Sequence, residues 1–436
     1  MRAVTLGLCI LGLAAADKLS AQGFTTLKGH GGPVMGLSVL PDNGAVVSAS
    51  FDNSVGLWQG RVPRWFEGHR AAVIAVHPLG HDRLVSGGDD HAVIIWDRGT
   101  GTGRRLEGHR GKIAALDVSP GGKWIASASW DGAIGLWPTG DGAARFLDGH
   151  DGPVSDVAFS AEGDLLYSAS ADGTLREWRW RDADAAPRVL LDQGFGINRL
   201  VPGPDDAWLA YGGVDGATRV IDPETGREIA DFTLDRRPVL SMAHHAGTGQ
   251  LAVGDGHGHI MVIDTGTWRI TRDFRAMARG PVWALAFSPD GDVIHAGGLD
   301  EVVFTWPVDL LEDAGPAGET EHSFLRPVEE MGNGERQFMR KCSICHALTP
   351  PPSRKAGPTL HGLFGRRAGT VPGYAYSETL DGAELVWTVD TIDALFDIGP
   401  DHYIPGSKMP MQRITATQDR QDMIDYLRRA TETEGN

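Results

Sequence analysis

The chain has 436 residues, which is too long for one ordinary hydrophobic core and predicts two or three domains. Its apolar content of 41% and charged content of 22% are typical of a globular protein. The formal net charge of -17 argues against a nucleic-acid partner, because binding to a phosphate backbone requires clustered Lys and Arg.

The first residues have the pattern of an export signal. Arg2 supplies a positive charge, residues 4–13 form an apolar run, and residues 14–16 are the small residues that a signal peptidase needs. The run is short for a transmembrane helix, and no later stretch of the sequence approaches the required length. We therefore expect a signal peptide over residues 1–16, a periplasmic location and no integral membrane segment in the mature chain. An uncleaved N-terminal anchor is the alternative.

The sequence then repeats at intervals close to 40 residues. A Gly-His pair recurs with spacings of 39, 40 and 41 residues, at His30, His69, His109 and His150. Each is followed by an Asp that precedes a Trp by six residues, at Trp58, Trp96, Trp137 and Trp178. Weaker copies of the frame place three more residues in the Trp position, namely Ile221, Ile263 and Trp306. Short apolar runs separated by Gly and Asp turns favour seven units of antiparallel strands.

These repeats resemble the WD40 family of β-propellers over residues 23–308. The resemblance implies a hydrogen-bonded set of four side chains in each of the first four units, made of a loop His, a strand Ser, a turn Asp and a strand Trp. The sets are His30, Ser48, Asp52 and Trp58; His69, Ser86, Asp90 and Trp96; His109, Ser127, Asp131 and Trp137; and His150, Ser168, Asp172 and Trp178. Since buried polar groups must be paired, we expect these sets to hold the blades together and to perform no chemistry.

The last three units depart from this pattern. The Ser position holds Tyr211, Val253 and Ala296, and His257 replaces one turn Asp, so we expect looser blades without these networks. The N-terminal stretch "GFTTLKG" should complete the blade that ends near Trp306, because ring closure removes exposed strand edges.

Four histidines in the sixth unit could suggest a metal site, namely His244, His245, His257 and His259. However, His257 already occupies the turn position of the repeat, and no cysteine or carboxylate accompanies these residues at ligand spacing. We therefore expect no metal site in the propeller.

A Pro-, Gly- and acid-rich segment follows the repeats and predicts a linker over residues 309–329. Helical spacing then begins, and residues 342–346 read Cys-Ser-Ile-Cys-His. Cys-x-x-Cys-His is the attachment sequence of c-type haem, in which two thiols bond to the porphyrin vinyl groups and the adjacent imidazole meets the iron. A redox dithiol would need a βαβ setting, and zinc would need a second pair of ligands; the sequence offers neither.

Residues 330–431 resemble the class I cytochromes c, a family of small all-α domains. The motifs that carry the resemblance are "KAGPTLHGLFGRRAGTVPGYAYSETL", "LVWTVDTIDALF", "YIPGSKMP" and "DRQDMIDYLRRA". The resemblance implies one covalent haem c on Cys342 and Cys345, with His346 and Met409 as the axial iron ligands.

The same resemblance implies the surroundings of the haem. The Pro358 carbonyl would accept a hydrogen bond from the His346 ring N–H, and Ser407 would lie near the Met409 sulfur. Three residues would surround the haem propionates, namely Arg366, Tyr376 and Trp387. Phe396 stands where many relatives carry Tyr, so a hydroxyl near Met409 would be missing. His361 would be structural, and the last helix would pack on the first.

With both axial positions filled by protein, the sequence predicts an outer-sphere one-electron carrier, with the propeller as a platform for docking a redox partner. Residues 327–436 hold 15 acidic residues against 12 Lys and Arg, whereas the preceding part holds 42 against 28. The acidic propeller would favour a partner with a basic docking face. The alternative is a periplasmic oxidoreductase whose propeller binds a second cofactor or substrate, a combination of parts found in the cytochrome cd1 nitrite reductases.

Overall fold

A computed structural model describes residues 24–182, 185–233, 238–277, 280–310, 331–343, 345–351, 355–407, 409 and 413–431. The predicted signal peptide lies outside the described residues, and so does the predicted linker beyond residue 310. Strands occupy the part before residue 308, and helices occupy the part after residue 331.

The described residues form 28 strands, arranged as seven antiparallel four-stranded sheets. In chain order they are β1 (Thr25–Lys28), β2 (Val34–Val39), β3 (Val46–Ser50), β4 (Ser54–Trp58), β5 (Pro63–Glu67), β6 (Val73–Leu79), β7 (Arg83–Gly88), β8 (Val93–Asp97), β9 (Gly103–Leu106), β10 (Ile113–Val118), β11 (Trp124–Ser129), β12 (Ile134–Pro138), β13 (Arg145–Leu147), β14 (Val154–Phe159), β15 (Leu166–Ser170), β16 (Thr174–Trp178), β17 (Arg188–Asp192), β18 (Ile197–Pro202), β19 (Leu209–Gly213), β20 (Thr218–Ile221), β21 (Glu228–Asp231), β22 (Val239–His245), β23 (Gln250–Asp255), β24 (His259–Asp264), β25 (Arg269–Arg275), β26 (Val282–Phe287), β27 (Val293–Gly298) and β28 (Val302–Pro307).

The sheets are the blades of a seven-bladed propeller, which confirms the predicted fold. Blades 1 to 6 each take four consecutive strands, from β2–β5 to β22–β25, and blade 7 combines β26, β27 and β28 with β1. In blade 7, Thr25 lies opposite Thr305, and Lys28 lies opposite Val302. The N-terminal strand therefore closes the ring, as the sequence predicts, because it completes blade 7 as the outer strand and pairs with β28.

The second strand of each blade is buried along almost its whole length, serines included, because each blade packs against a neighbour on both faces. Val47, Leu84, Ile125 and Leu166, one from each of the first four blades, are fully buried. Their burial places the hydrophobic core between successive blades rather than at the centre of the ring.

The first four blades contain the predicted hydrogen-bonded sets. In blade 1, His30 Nδ1 lies 3.0 Å from Asp52 Oδ2 and Nε2 lies 2.6 Å from Ser48 Oγ, while Trp58 Nε1 donates to Ser48 at 2.8 Å. Blades 2 to 4 repeat these contacts at 2.7–2.8 Å. Burial raises the pKa of each Asp, but hydrogen bonds outweigh it and lower the net pKa, to about 2 for Asp172.

The last three blades carry other side chains in the Ser position, and blade 7 shows the consequence. Ala296 stands in that position, and the buried Nε1 of Trp306 has no hydrogen-bond partner within the described residues. In blade 6, Asp255 accepts the backbone N–H groups of His257 and His259 at 2.8 and 2.9 Å. Asp255 thus orders the turn in which His257 replaces the usual Asp.

The four histidines of blade 6 make separate contacts. His245 Nδ1 lies 2.8 Å from Thr248 Oγ1, and His244 packs edge-on against Trp208 with ring centroids 4.9 Å apart. His259 Nδ1 lies 3.6 Å from Asp273. Throughout the described part of the chain, no three His, Cys, Asp or Glu residues are grouped so that they could hold a metal ion.

The described C-terminal residues form four helices, namely α1 (Asn333–Lys341), α2 (Val389–Ile398), the single turn α3 (Pro400–Tyr403) and α4 (Thr417–Thr431). Helix α4 packs across α1, as the sequence predicts: Asn333 Nδ2 donates to Asp419 and Asp422 at 2.8 and 2.7 Å. Helix α2 begins with a capping box between Thr388 and Thr391. No helix among the described residues has the length and apolar character needed to cross a membrane.

Candidate functional site

The helices and loops of the C-terminal domain surround a cavity of about 220 Å³. Every residue that the sequence assigns to the haem site lines this cavity, namely Cys342, Cys345, His346, Pro358, Arg366, Tyr376, Trp387, Ser407 and Met409. Much of the remaining wall is apolar and includes Leu360, Leu363, Ile392, Leu395 and Phe396. The fold therefore brings these residues together around one cavity, although their segments are far apart in the chain.

The two thiols are positioned by the end of helix α1. The helix stops at Lys341, and the Cys-x-x-Cys-His motif continues as tight turns, in which the His346 backbone N–H donates to the Cys342 carbonyl at 2.9 Å. Cys342 is buried, and neither cysteine is in a disulfide. Burial raises the pKa of Cys342 to about 12, with a contribution from Cys345, and burial also raises the pKa of Cys345. Burial thus favours the neutral thiol form of both groups.

The imidazole of His346 is oriented from one side. Its Nδ1 lies 2.7 Å from the Pro358 carbonyl oxygen, so Nδ1 carries the proton and donates it. Burial lowers the pKa of His346 and keeps the ring neutral, although the Pro358 hydrogen bond acts in the opposite direction. The other nitrogen, Nε2, is therefore the unprotonated one, which is the form that ligates a metal.

The backbone of Gly357 lies directly against this imidazole, and the sequence pattern alone does not single out this glycine. A Cβ atom on Gly357 would lie 2.5 Å from Cε1 and 2.7 Å from Nδ1 of His346. The Gly357 backbone N–H donates to the Cys345 carbonyl at 2.7 Å. A glycine directly before the predicted partner Pro358 was the available signal, because glycine allows close backbone approach.

Arg366 fixes the loop that carries Pro358. Its guanidinium donates to the His361 carbonyl at 2.6 Å and to the Thr359 carbonyl at 2.7 Å. The Trp387 backbone N–H donates to the Arg366 carbonyl at 3.0 Å, and so links this loop to the segment before α2. Burial lowers the pKa of Arg366, whereas the nearby Tyr376 raises it.

Met409 reaches the cavity from the loop after α3. Its backbone N–H donates to Ser407 Oγ at 3.3 Å. This contact involves the Met409 backbone and leaves the predicted proximity of Ser407 to the sulfur as a prediction. Phe396 lines the same cavity and carries no hydroxyl, as the sequence indicates. His361 is not among the described residues that line the cavity; its backbone serves the loop instead.

The propeller also contributes to the cavity wall, which the sequence analysis did not predict. The residues are Phe51, Asn53, Arg70, Ala71 and Asp89, all from blades 1 and 2 and the loop between them. Lys355 of the C-terminal domain donates to Glu301 of blade 7. The mouth of the cavity therefore opens onto the face of the propeller.

The donor set of the cavity fits a covalently attached haem. The thiols of Cys342 and Cys345 are free for thioether bonds. The His346 imidazole, which is protonated at Nδ1, and the Met409 thioether are available as iron ligands. The apolar walls are suited to a porphyrin ring. These residues are the ones that would hold the group.

Comparison with known families gives two matches. The WD40 model, described as "WD domain, G-beta repeat", matches residues 22–59, 60–97, 102–138, 143–179 and 269–306. The model described as "Cytochrome c" matches residues 332–431.

Individual relatives resemble the C-terminal domain. The chain is 40% identical to the cytochrome c of Sesamum indicum over 107 residues, which cover 24% of this chain and 94% of that protein. It is 40% identical to the cytochrome c of Ginkgo biloba over 101 residues, 23% of this chain and 88% of that protein. It is 41% identical to that of Gossypium barbadense over 100 residues, 22% of this chain and 87% of that protein.

These matches and the donor set agree on the cofactor, which is one covalently bound haem c. The C-terminal domain is built for electron transfer, and the propeller is of a kind that binds proteins. The chain thus belongs to the cytochrome c family through its C-terminal domain, which follows a seven-bladed WD40 propeller.

Proposed function

We propose that this protein is an exported one-electron carrier with haem c on Cys342 and Cys345, and with His346 and Met409 as axial ligands. The observation that supports this function best is the shared cavity: a neutral imidazole oriented by Pro358 and a methionine side chain from a separate loop both line it. When bound, the haem supplies a reversible one-electron step, and a His/Met ligand pair gives it a relatively high reduction potential.

The side chains of the site have separate tasks in this function. Pro358 holds the proton on His346 Nδ1, which keeps Nε2 available to the iron. Arg366 holds the loop that presents Pro358, and the apolar wall excludes water from the ring. If His346 and Met409 both hold the iron, no position would remain open for a substrate. The protein exchanges electrons and does not transform a bound molecule.

The propeller serves in this proposal as the docking platform for a redox protein in the periplasm. Its acidic composition supports a partner with a basic face, because complementary fields accelerate association. The electron-transfer rate with that partner should fall as ionic strength rises, since salt screens exposed charges over about 10 Å at 0.1 M.

The alternative, in which the propeller binds a second cofactor, would need a cavity of suitable size among the blades. A cavity between blades 5 and 6, lined by residues such as Thr218, His259 and Asp273, encloses about 20 Å³. That volume is on the order of one water molecule and is far too small for a cofactor.

Replacing Met409 tests the proposed ligation. In Met409→Ala we expect the near-infrared sulfur-to-iron absorption band of the oxidised protein to disappear, the reduction potential to fall, and small ligands to bind the iron. Met339→Ala is a matched control, because Met339 packs in the same core and is not among the described residues that line the cavity. A parent protein that lacks the band would contradict the assignment of Met409.

A further inference from the structure

We propose that the propeller is part of the haem site: the face of blades 1 and 2 around Arg70 covers the mouth of the cavity, shields the haem edge from solvent and raises its reduction potential. The inference rests on the haem-binding part of the proposed function and is independent of the identity of the redox partner. It adds the propeller's own residues to a site that otherwise belongs to the C-terminal domain.

The contributing residues come from neighbouring positions on one face of the propeller. Phe51 and Asn53 lie in the turn between β3 and β4, and Asp89 lies in the corresponding turn between β7 and β8. Arg70 lies in the loop between β5 and β6, which joins the two blades. Two turns and one loop of the propeller thus contribute to the wall of the same cavity.

An ion pair holds the C-terminal domain to the same face. Lys355 donates to Glu301, which lies between β27 and β28 of blade 7. The side chains of Lys355 and Glu301 are 8% and 27% exposed, so the contact is largely removed from water. Lys355 directly precedes Ala356 and Gly357, which line the cavity. The pair therefore fastens the domain beside the opening.

Unpaired polar atoms mark the seam between the two domains. Asn53 Oδ1 and Asp89 Oδ1 from the propeller and Ser377 Oγ from the C-terminal domain are buried without a hydrogen-bond partner in the described structure. All three residues line this cavity. Buried polar atoms are nearly always paired in native proteins, so their concentration here indicates that a further group completes the seam.

The propeller repeat supplies an internal reference for Arg70. Arg110 holds the same position one blade later, after the Gly-His pair, and both residues are exposed. Each donates its backbone N–H to the turn Asp of its blade, Asp90 or Asp131, at 2.8 Å. Arg70 lines the cavity, and Arg110 is not among the described residues that do so. Their structural roles are equal, so a difference between them reports on the haem site.

The positive charge of Arg70 determines whether this residue raises or lowers the reduction potential of the haem. Oxidised haem carries one more positive charge than reduced haem, and a nearby cation therefore favours the reduced state. Arginine keeps its charge at all accessible pH values, and because the Arg70 side chain is exposed, solvent screens part of that charge. Asp89, which lines the same cavity, acts in the opposite direction, and the charge of Arg70 counters it.

The first test compares Arg70→Glu with Arg110→Glu in the full-length protein. We expect Arg70→Glu to lower the reduction potential and to slow reduction of the oxidised haem by the small anion hexacyanoferrate(II) severalfold, whereas Arg110→Glu stays close to the parent in both measurements. Equal potentials and equal rates for the two variants would overturn the inference. An unaltered absorption spectrum in both variants shows that they carry haem with the parent ligands. Equal potentials and rates with that spectrum would therefore count against the role of Arg70, and an altered spectrum would instead bear on the proposed ligation.

The second test addresses the cover itself. Glu301→Lys places like charges beside each other, and we expect the opened seam to accelerate reactions with both anionic hexacyanoferrate and cationic hexaammineruthenium. The double variant Glu301→Lys with Lys355→Glu restores opposite charges and should return both rates toward the parent values. Rates in Glu301→Lys that match the parent for both reagents would show that the propeller does not shield the haem.

Discussion

The propeller and the cytochrome domain use buried histidines in two different ways. In the propeller, His30 has both ring nitrogens occupied by side chains of its own blade, Asp52 and Ser48. In the cytochrome domain, the Pro358 carbonyl occupies Nδ1 of His346, and no hydrogen bond within the described residues engages Nε2. A histidine whose two ring nitrogens both have hydrogen-bond partners in the protein is structural. A histidine with one ring nitrogen free of such a partner beside a cavity is a candidate ligand.

The same difference extends to the neighbouring polar groups. Each complete propeller set pairs its members with one another, and its stabilisation depends on the chain alone. The cytochrome domain keeps two thiols, an imidazole nitrogen and a thioether around one cavity, and these groups acquire their partners from the cofactor. Mutations in the propeller sets should therefore change the stability of the fold, whereas mutations at the cavity should change haem binding.

Gly357→Ala should have the largest effect and should act on the haem site. The added methyl group would overlap the His346 ring, and displacement of the ring costs about 3 kcal/mol. We expect most of the protein to lose the parent haem spectrum while the propeller remains folded. Absorption spectroscopy and haem staining of a denaturing gel measure the outcome.

Gly332→Ala is the matched control, since a Cβ at Gly332 would meet no atom within 4 Å. A parent-like spectrum in Gly357→Ala would mean that His346 does not depend on the close approach of this backbone.

Ser127→Ala should have the second largest effect and should act on the propeller alone. The substitution removes the hydroxyl that serves both His109 Nε2 and Trp137 Nε1, and it leaves two buried groups unpaired. We expect a loss of about 2 kcal/mol in the free energy of unfolding, measured by chemical denaturation. The haem spectrum and potential should not change. A shift in the potential would show that blade 3, from which no described residue lines the cavity, also influences the haem site.

Asp172→Asn should remove part of the acid sensitivity of blade 4. The folded-state pKa of Asp172 is about 2, below the ordinary value of 3.8, because hydrogen bonds from Thr174 and His150 outweigh burial. Its stabilisation is therefore complete above about pH 4 and is lost as the pH falls toward 2. We expect the variant to be about 1–2 kcal/mol less stable at pH 7 and equal to the parent near pH 2.

Unfolding measured from pH 7 to pH 2 tests this expectation, with the exposed Asp141→Asn as control. The same stability difference at both ends of the range would rule out a role for the Asp172 charge.

Ala296→Ser should have the smallest effect, and its sign should be opposite. It restores serine at the position where blades 1 to 4 have it, and it offers a partner to the unpaired Nε1 of Trp306. We expect a gain of about 1 kcal/mol in the free energy of unfolding. A destabilised variant would mean that the fully buried space around Ala296 cannot accept one more oxygen atom.

Local sequence was sufficient to predict most of the fold and the residues that gather around one cavity. The repeat interval fixed the seven blades, because each blade is a short stretch of chain whose turn residues and apolar runs recur together. The strand β1 could be assigned to blade 7 because an open ring leaves an unpaired sheet edge. The Cys-x-x-Cys-His motif likewise holds its chemistry within five residues.

The sequence was less informative about the supports of the site. Gly357 matters because its backbone touches a ring eleven positions earlier in the chain, and a glycine in a loop has many ordinary explanations. Arg366 was expected beside the haem propionates, while in the structure its guanidinium holds the carbonyls of Thr359 and His361. Both roles depend on how the loop folds back on itself.

The sequence by itself determined the two domains, the blade networks and the residues that line the haem cavity, because each is encoded by a motif of fixed local spacing. Only the tertiary structure decided that blades 1 and 2 cover the cavity and that Glu301 meets Lys355. Arg70 and Arg110 are alike in sequence and in backbone contacts, and no local pattern distinguishes them. What separates them is the position of a second domain on the propeller, and that position depends on two folded surfaces whose residues are distant in the chain.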